Sequence, residues 1–355
     1  MSAGADAGPL AQLQSIGTII LNGNPAQTKE DVDRLRGVLW SRGCRRSMTH
    51  LTLLLDFRDI DSSVLPVVQS LEQLHEACCR PDAPFIFEED SPSAANANSM
   101  HLSLSLFYGD DFPRNPSALF KQTIQQLARQ ANEIYFAMAQ HEINNTVDNP
   151  SKAAIDVASS LSFERAERVT VCVFTYPPPP PTTPCPHPAI IDHLRPFPKA
   201  TQLDITGRLA ATAGRLLAAR MATQVAKVTI SGFPTGEALG IVGELGSERV
   251  VEEVSIHRGS PRQVSFPLAA DLPTISQLCF SAHVLSGDVQ AEFPSALSGL
   301  FQHVPGLQRV ALSFDNHSPA AIHSAFPDGS TIGHFPVTVE ERSGCPVVMV
   351  SRDAS

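Results

Sequence analysis

The chain has 355 residues, 43% of them hydrophobic and only 17% charged, and carries a formal net charge of −10. Charged residues fall below the roughly 25% of ordinary soluble domains, so a large share of the chain can be buried and the composition is not that of a disordered tail. The acidic balance argues against nucleic acid or an anionic membrane as partner, because either calls for a basic face.

Residues 1–15 are expected to be a disordered or capping N-terminus. Met1 to Leu10 lacks a basic leader, and Ile19-Ile20-Leu21 is too short for a signal core or a membrane span, so the expected location is cytoplasmic. The seven cysteines, at 44, 78, 79, 172, 185, 279 and 345, form no C-x-x-C pair, and they read as small buried hydrophobes of a reduced protein. Cys44-Arg45-Arg46 is the densest basic group and reads as a solvated loop.

From Ile16 onward, short strand-like runs recur in the frame apolar-x-x-apolar-x-apolar, each followed by a helical stretch. The clearest are Ile16/Ile19/Leu21 with Asn24, Met48/Leu51/Leu53 with Asp56, and Leu307/Val310/Leu312 with Asp315. Looser copies are Ala200/Leu203/Ile205, Val225/Val228/Ile230, Val251/Val254/Ile256 and Ile275/Leu278/Phe280. Weaker ones are Asp82/Phe85/Phe87, His101/Leu104/Leu106, Ala131/Ile134/Phe136, Ala166/Val169/Val171 and His334/Val337/Val339. About twelve copies result, at a mean spacing near the long end of the leucine-rich-repeat range.

Helices are predicted between them. Glu30 to Trp40 follows Thr28 as N-cap, and Val64, Val67, Leu71, Leu74 and Cys78 mark one face of the next. Asn115 then Pro116 opens a third helix, with Leu119, Ile124 and Leu127 as its apolar face. Others are expected at Lys152 to Leu161, Arg208 to Met221, Gly236 to Leu245 and Ser295 to His303. Two loops interrupt the array, near 88–99 and 176–198. The second contains Pro177, Pro178, Pro179, Pro180 and Pro181, a stiff polyproline II run that an SH3- or WW-type domain could dock on, against the plainer reading of a tolerated insertion.

Alternating strands and helices suit a doubly wound sheet or a β/α barrel as well as a solenoid. The residues flanking the apolar frame discriminate: Arg168 and Thr170, Gln202 and Asp204, Lys227 and Thr229, Glu253, Ser255 and His257, Gln277 and Ser281, Arg309 and Ser313. They are mostly polar, and a sheet covered on both faces could not bury so many polar groups without partners. One wet face is therefore expected.

The frame resembles leucine-rich-repeat proteins of the irregular, long-repeat kind, such as ribonuclease-inhibitor-like and F-box-associated arrays. The resemblance implies an α/β solenoid over residues 16–342, with a curved parallel sheet on the concave face, helices on the convex face, and a C-terminal tail or cap over 343–355. The turn asparagine of such repeats is present at Asn24, whereas Asp stands at 56, 90 and 315.

No nucleotide-binding, nucleophile-elbow or zincin motif is present. Cys185-Pro186-His187 lacks a second ligand pair, Asp315 to Ser318 with His323 reads as a turn, and Cys172 and Cys279 have no marked base beside them. The expectation is a non-enzymatic scaffold with no cofactor and no metal. Its protein partner would be held on the concave face by Arg168, Asp204, Lys227, Glu253, His257 and Arg309. The alternatives are a substrate-recognition subunit of a ubiquitin ligase without its own F-box, and an enzyme on a compact β/α fold.

Overall fold

The computed structural model describes residues 8–22, 24–56, 59–60, 63–88, 101–103, 115–140, 152–175, 190–207, 211–221, 224–261, 264–266, 271–282, 289–314, 317–327, 329–342 and 345–352. They belong to two compact units, Met1–Tyr135 with Pro150–Arg165 and Phe136–Asn149 with Ala166–Ser355. Among the described residues no helix is long and apolar enough to cross a membrane. The proline run Pro177–Pro181, the Cys185-Pro186-His187 group, Asp315-Asn316 and most of the 88–99 loop lie outside the described residues. In the rest of the 176–198 loop, Ile190, Ile191, Leu194 and Phe197 are buried.

In the first unit β1 (Thr18–Asn22) leads into α1 (Pro25–Ser41). Asn24 caps α1 by accepting from Ala26 N at 2.8 Å, and Pro25 takes the first helical position, where an N–H is not needed. Thr28, expected as the cap, lies inside the helix and is buried, its hydroxyl donating to Asn22 O and Asn24 O. The proline, with φ preset for a helix, starts α1 a turn earlier than the Glu30 expected.

β2 (Leu51–Asp56), β3 (Asp59–Ile60), α2 (Val64–Cys78), β4 (Phe85–Phe87), β5 (His101–Ser103) and α3 (Ala118–Gln130) follow; β6 (Glu133–Gln140) begins in this unit, and α4 (Lys152–Ser160) belongs to it. β1, β2 and β4 form a parallel sheet in that order, with α1 and α2 as the crossovers parallel pairing requires. β3, β5 and β6 also pair in parallel. The expected stripe on α2, Val64, Val67, Leu71, Leu74 and Cys78, is buried, as are Leu51, Leu53 and Leu55 of β2. α3 starts two residues later than expected, because Ser117 takes the capping role and accepts from Phe120 N at 3.0 Å. Arg45 lies over the Trp40 ring, 4.7 Å from its centroid.

The second unit is built from β7 (Arg168–Thr175), β8 (Gln202–Thr206), α5 (Ala211–Ala218), β9 (Gln224–Ser231), α6 (Thr235–Gly243), β10 (Val250–His257), β11 (Thr274–Ala282), α7 (Val289–His303), β12 (Arg309–Phe314), α8 (Pro319–Ala325), β13 (Thr331–Ile332), β14 (Phe335–Arg342) and β15 (Cys345–Ser351). Its strands lie in the order β7-β8-β9-β10-β11-β12-β15-β14-β13.

The apolar frame positions stand in register across this sheet. Val169, Leu203, Val228, Val254, Leu278 and Val310 make one column, and Val171, Ile205, Ile230, Ile256, Phe280 and Leu312 the next. All are at most 1% exposed. Each such side chain taken from water contributes about 1.5–3 kcal/mol, so the two columns hold the strands in one register.

The sheet is mixed, which corrects the expectation of a wholly parallel one. β7 to β12 run parallel, but β15 pairs antiparallel with β12 and β14 antiparallel with β15. Val337 and Val339 do align with Val350 and Val348 on the apolar face, in a strand running the opposite way. Only residues 343 and 344 separate β14 from β15, a link that allows a hairpin and is far too short for a parallel crossover. α8 was also unexpected; Ser318 caps it by accepting from Ala321 N, with Pro319 behind it.

Candidate functional site

The side chains alternating with the two apolar columns leave the second unit's sheet on its other face, where strand pairing sorts them into three rows. The first row is Arg168, Gln202, Lys227, Glu253, Gln277 and Arg309, one residue from each of β7 to β12. The second is Thr170, Asp204, Thr229, Ser255, Cys279 and Ala311; the third is Cys172, Thr206, Ser231, His257, Ser281 and Ser313. All six residues singled out from sequence therefore share one face. Arg168, Lys227, Glu253 and Arg309 share a row, with Asp204 and His257 in the two rows behind.

Charges on this face are matched across strands. Arg168 Nε donates to Gln202 Oε1 at 3.0 Å and lies 3.5 Å from Asp204 Oδ2. Glu253 is the hub of a larger cluster. Lys227 Nζ is 2.9 Å from its Oε1, Ser255 Oγ donates to the same oxygen at 3.0 Å, and Gln277 Nε2 donates to Oε2 at 3.2 Å. Burial pushes the Glu253 carboxyl up, but the hydrogen bonds from Lys227 and Ser255 and the charges of Lys227 and Arg342 outweigh it and hold the group below its ordinary range.

Arg342 is the residue missed in sequence. Its guanidinium is 3.8 Å from Glu253 Oε2 and 3.3 Å from Glu340 Oε2. β15, β12 and β11 lie between β14 and β10, a separation of four strand spacings or about 19 Å in a flat sheet. Extended Arg and Glu side chains with the 3.8 Å between their tips span about 16 Å, so the two strands stand closer together than in a flat sheet. Alternation with Glu340 places Arg342 on that face, but nothing local points to Glu253.

The polar face also has an apolar corner. Ala311, Val347 and Met349 are buried against one another, with Cys279 beside them. A cleft of about 180 Å³ opens next to them, lined by Ser255, His257, Cys279, Ser281, Ala311, Ser313, Arg342 and Val347. The signal for this corner is the interruption of the polar column at Cys279 and Ala311, together with the alternation of Val347 and Met349 in β15.

Reactive chemistry finds little support in this cleft. Burial pushes the Cys279 thiol up; the hydrogen bond from Gln277 opposes that, while the Glu253 carboxylate reinforces it, so the sulfur is a protonated thiol and a poor nucleophile. His257 Nδ1 is 3.4 Å from Ser281 Oγ, a long contact, and the same oxygen accepts from Arg258 N at 3.0 Å. No carboxylate bonds the His257 ring among the described residues, so the orienting third member of a catalytic triad is missing there. Among the described residues no three or more His, Cys, Asp or Glu side chains converge as metal ligands. At about 180 Å³ the cleft is also smaller than the roughly 300–1,000 Å³ typical of metabolite sites.

No protein-family model and no curated protein sequence matches this chain.

Proposed function

We propose that this chain is a protein-binding scaffold, and that the polar face of the second unit's sheet is the concave surface of a leucine-rich-repeat-like solenoid and holds the partner. The observation that carries the reading is the three-row polar face itself. Six parallel strands present aligned hydrogen-bonding and charged side chains there, with Arg309 and His257 exposed and Ser255, Gln277 and Ser281 buried.

The charge of the face supports the reading. Arg168, Lys227, Arg309 and Arg342 stand against Asp204, Glu253 and Glu340, a near balance in a chain whose net charge is −10. A surface of mixed sign selects partners through complementary charge and hydrogen bonding more than it adds affinity. The in-register apolar columns and the approach of β14 to β10 at Arg342, closer than in a flat sheet, are what a curved repeat array requires.

Arg309 is the contact to test first. It is exposed, whereas Arg168 and Lys227 are engaged with Asp204 and Glu253. The experiment is quantitative affinity capture with the wild-type chain, Arg309→Glu, and Arg309→Glu combined with His257→Ala, each verified as folded by its thermal unfolding. A partner lost by the variants and retained by a reversal of exposed Glu237 on α6 supports the face. Equal capture by all three proteins moves the interaction elsewhere.

A further inference from the structure

The first unit carries a second surface, independent of the polar face, at the open edge of β1. Among the described residues β1 pairs only with β2, so one row of its backbone N–H and C=O groups is unpaired. Natural edge strands are commonly blunted by charge, proline or a bulge. Thr18-Ile19-Ile20-Leu21-Asn22 has no charge and no proline, its pairing with β2 is regular, and Ile20 is 55% exposed.

Among the described residues the surroundings leave this edge open. Leu10 N donates to Arg42 O and Thr49 N donates to Gln14 O, so the described chain ahead of β1 is tied to the end of α1 and the approach to β2. α1 is covered on the side where Arg36 donates to Gln73 of α2. Its opposite side borders a groove of about 360 Å³ against β1, with Ile19, Leu21, Val32 and Leu35 on its walls and Asp31 at its rim. Val38, one turn beyond Arg34 on that side, is 43% exposed.

We propose that this edge is a dimerisation surface, on which β1 of a second copy of the chain pairs antiparallel about a two-fold axis through Ile20. Two features of the edge favour a second copy over a foreign strand. The first is the pattern polar-apolar-apolar-apolar-polar, which reads the same in both directions. Thr18 then meets Asn22 of the second copy, Ile19 meets Leu21 and Ile20 meets itself, with no like charges opposed.

The second feature is charge. Thr28 Oγ1 donates to Asn22 O at 2.9 Å, which sets Thr28 level with the end of β1. Ile20 lies about 7 Å back along the strand, a distance α1 covers in roughly four to five residues. The axis therefore meets α1 near Val32 and Asp33, midway between Asp31 and Arg34. These two side chains are 56% and 74% exposed and 3.7 Å apart. Across the axis Asp31 faces Arg34 of the second copy, and the reverse pair forms with it.

The test is sedimentation of the full chain up to ~100 µM, where a complex of micromolar Kd is almost wholly formed. Wild type is expected to sediment at twice the chain mass. Ile20→Lys is expected to be monomeric with unchanged circular dichroism, since the position is solvent-facing. On the exposed helix surface, Asp31→Arg is expected to weaken association at least tenfold, and Asp31→Arg combined with Arg34→Asp to restore it. A monomeric wild type, a dimer indifferent to Ile20→Lys, or charge variants without effect each overturns the proposal.

Discussion

Phe280 and Ser281 are successive residues of β11 that leave the sheet on opposite faces: Phe280 aligns with Ile256 and Leu312 in the apolar column, and Ser281 lies beside His257 at the cleft. Both are buried, but for different reasons. Phe280→Ala removes a ring from the core and is expected to cost about 3–5 kcal/mol. Ser281→Ala loses the bond from Arg258 N and the longer contact to His257 Nδ1, and is expected to cost about 1 kcal/mol. Urea unfolding of the two variants measures the contrast, and comparable losses would contradict the two-faced sheet.

Acid should weaken the Glu253 cluster. Its folded carboxyl titrates below the ordinary value of 4.5, so the stabilisation is complete above that value and is lost as pH falls through the folded one. Glu253→Gln is expected to cost at most about 1 kcal/mol at pH 7, because the pairs are partly solvated. The difference from wild type should narrow below pH 4.5, as followed by urea unfolding across a pH series.

Thiol labelling should separate the cysteines by environment. Cys345 is exposed, whereas burial and the neighbouring Cys44 push the Cys78 and Cys79 thiols up to about 12. In a Cys185→Ser background, the native protein is expected to react rapidly at Cys345 alone at pH 8, with Cys44, Cys78, Cys79, Cys172 and Cys279 reacting on unfolding. Mass spectrometry of the labelled peptides reads this out. Fast native labelling of Cys78 would show that the first unit opens far more readily than its packing allows.

The two helix caps in the first unit make a smaller prediction. Asn24→Ala and Ser117→Ala each remove the acceptor of an orphan backbone N–H, with an expected cost of about 1 kcal/mol each. Asn24→Ser should retain most of the stability, and thermal unfolding distinguishes the two substitutions at that position.

Much of the second sheet was legible because burial leaves a local mark. Val254 and Ile256 had to fall on one face and Glu253, Ser255 and His257 on the other, and a period of two shows that in any one strand. Strand direction leaves no such mark. Val337 and Val339 alternate as a parallel strand would, and only the short link to β15 decides that β14 runs the other way. Helix starts were blurred where several capping residues stood close together, as with Asn24 and Thr28 or Asn115 and Ser117. The Glu253 to Arg342 contact joins residues far apart in sequence and depends on how the sheet bends, which no single stretch of sequence specifies.

The reversal at β15 also sets a rule for editing the length of this protein. From β8 to β11 each strand meets both its neighbours in the same sense, so a parallel strand inserted or removed there would still find parallel partners on each side. Beyond Phe314 this freedom ends. A further parallel unit placed after β12 would separate Leu312 from Val348 and Val310 from Val350, and would need its own outer strand to accept β15. A change in strand number is therefore confined to the parallel interior of the sheet, and β12 stays the strand on which the hairpin of β14 and β15 is built.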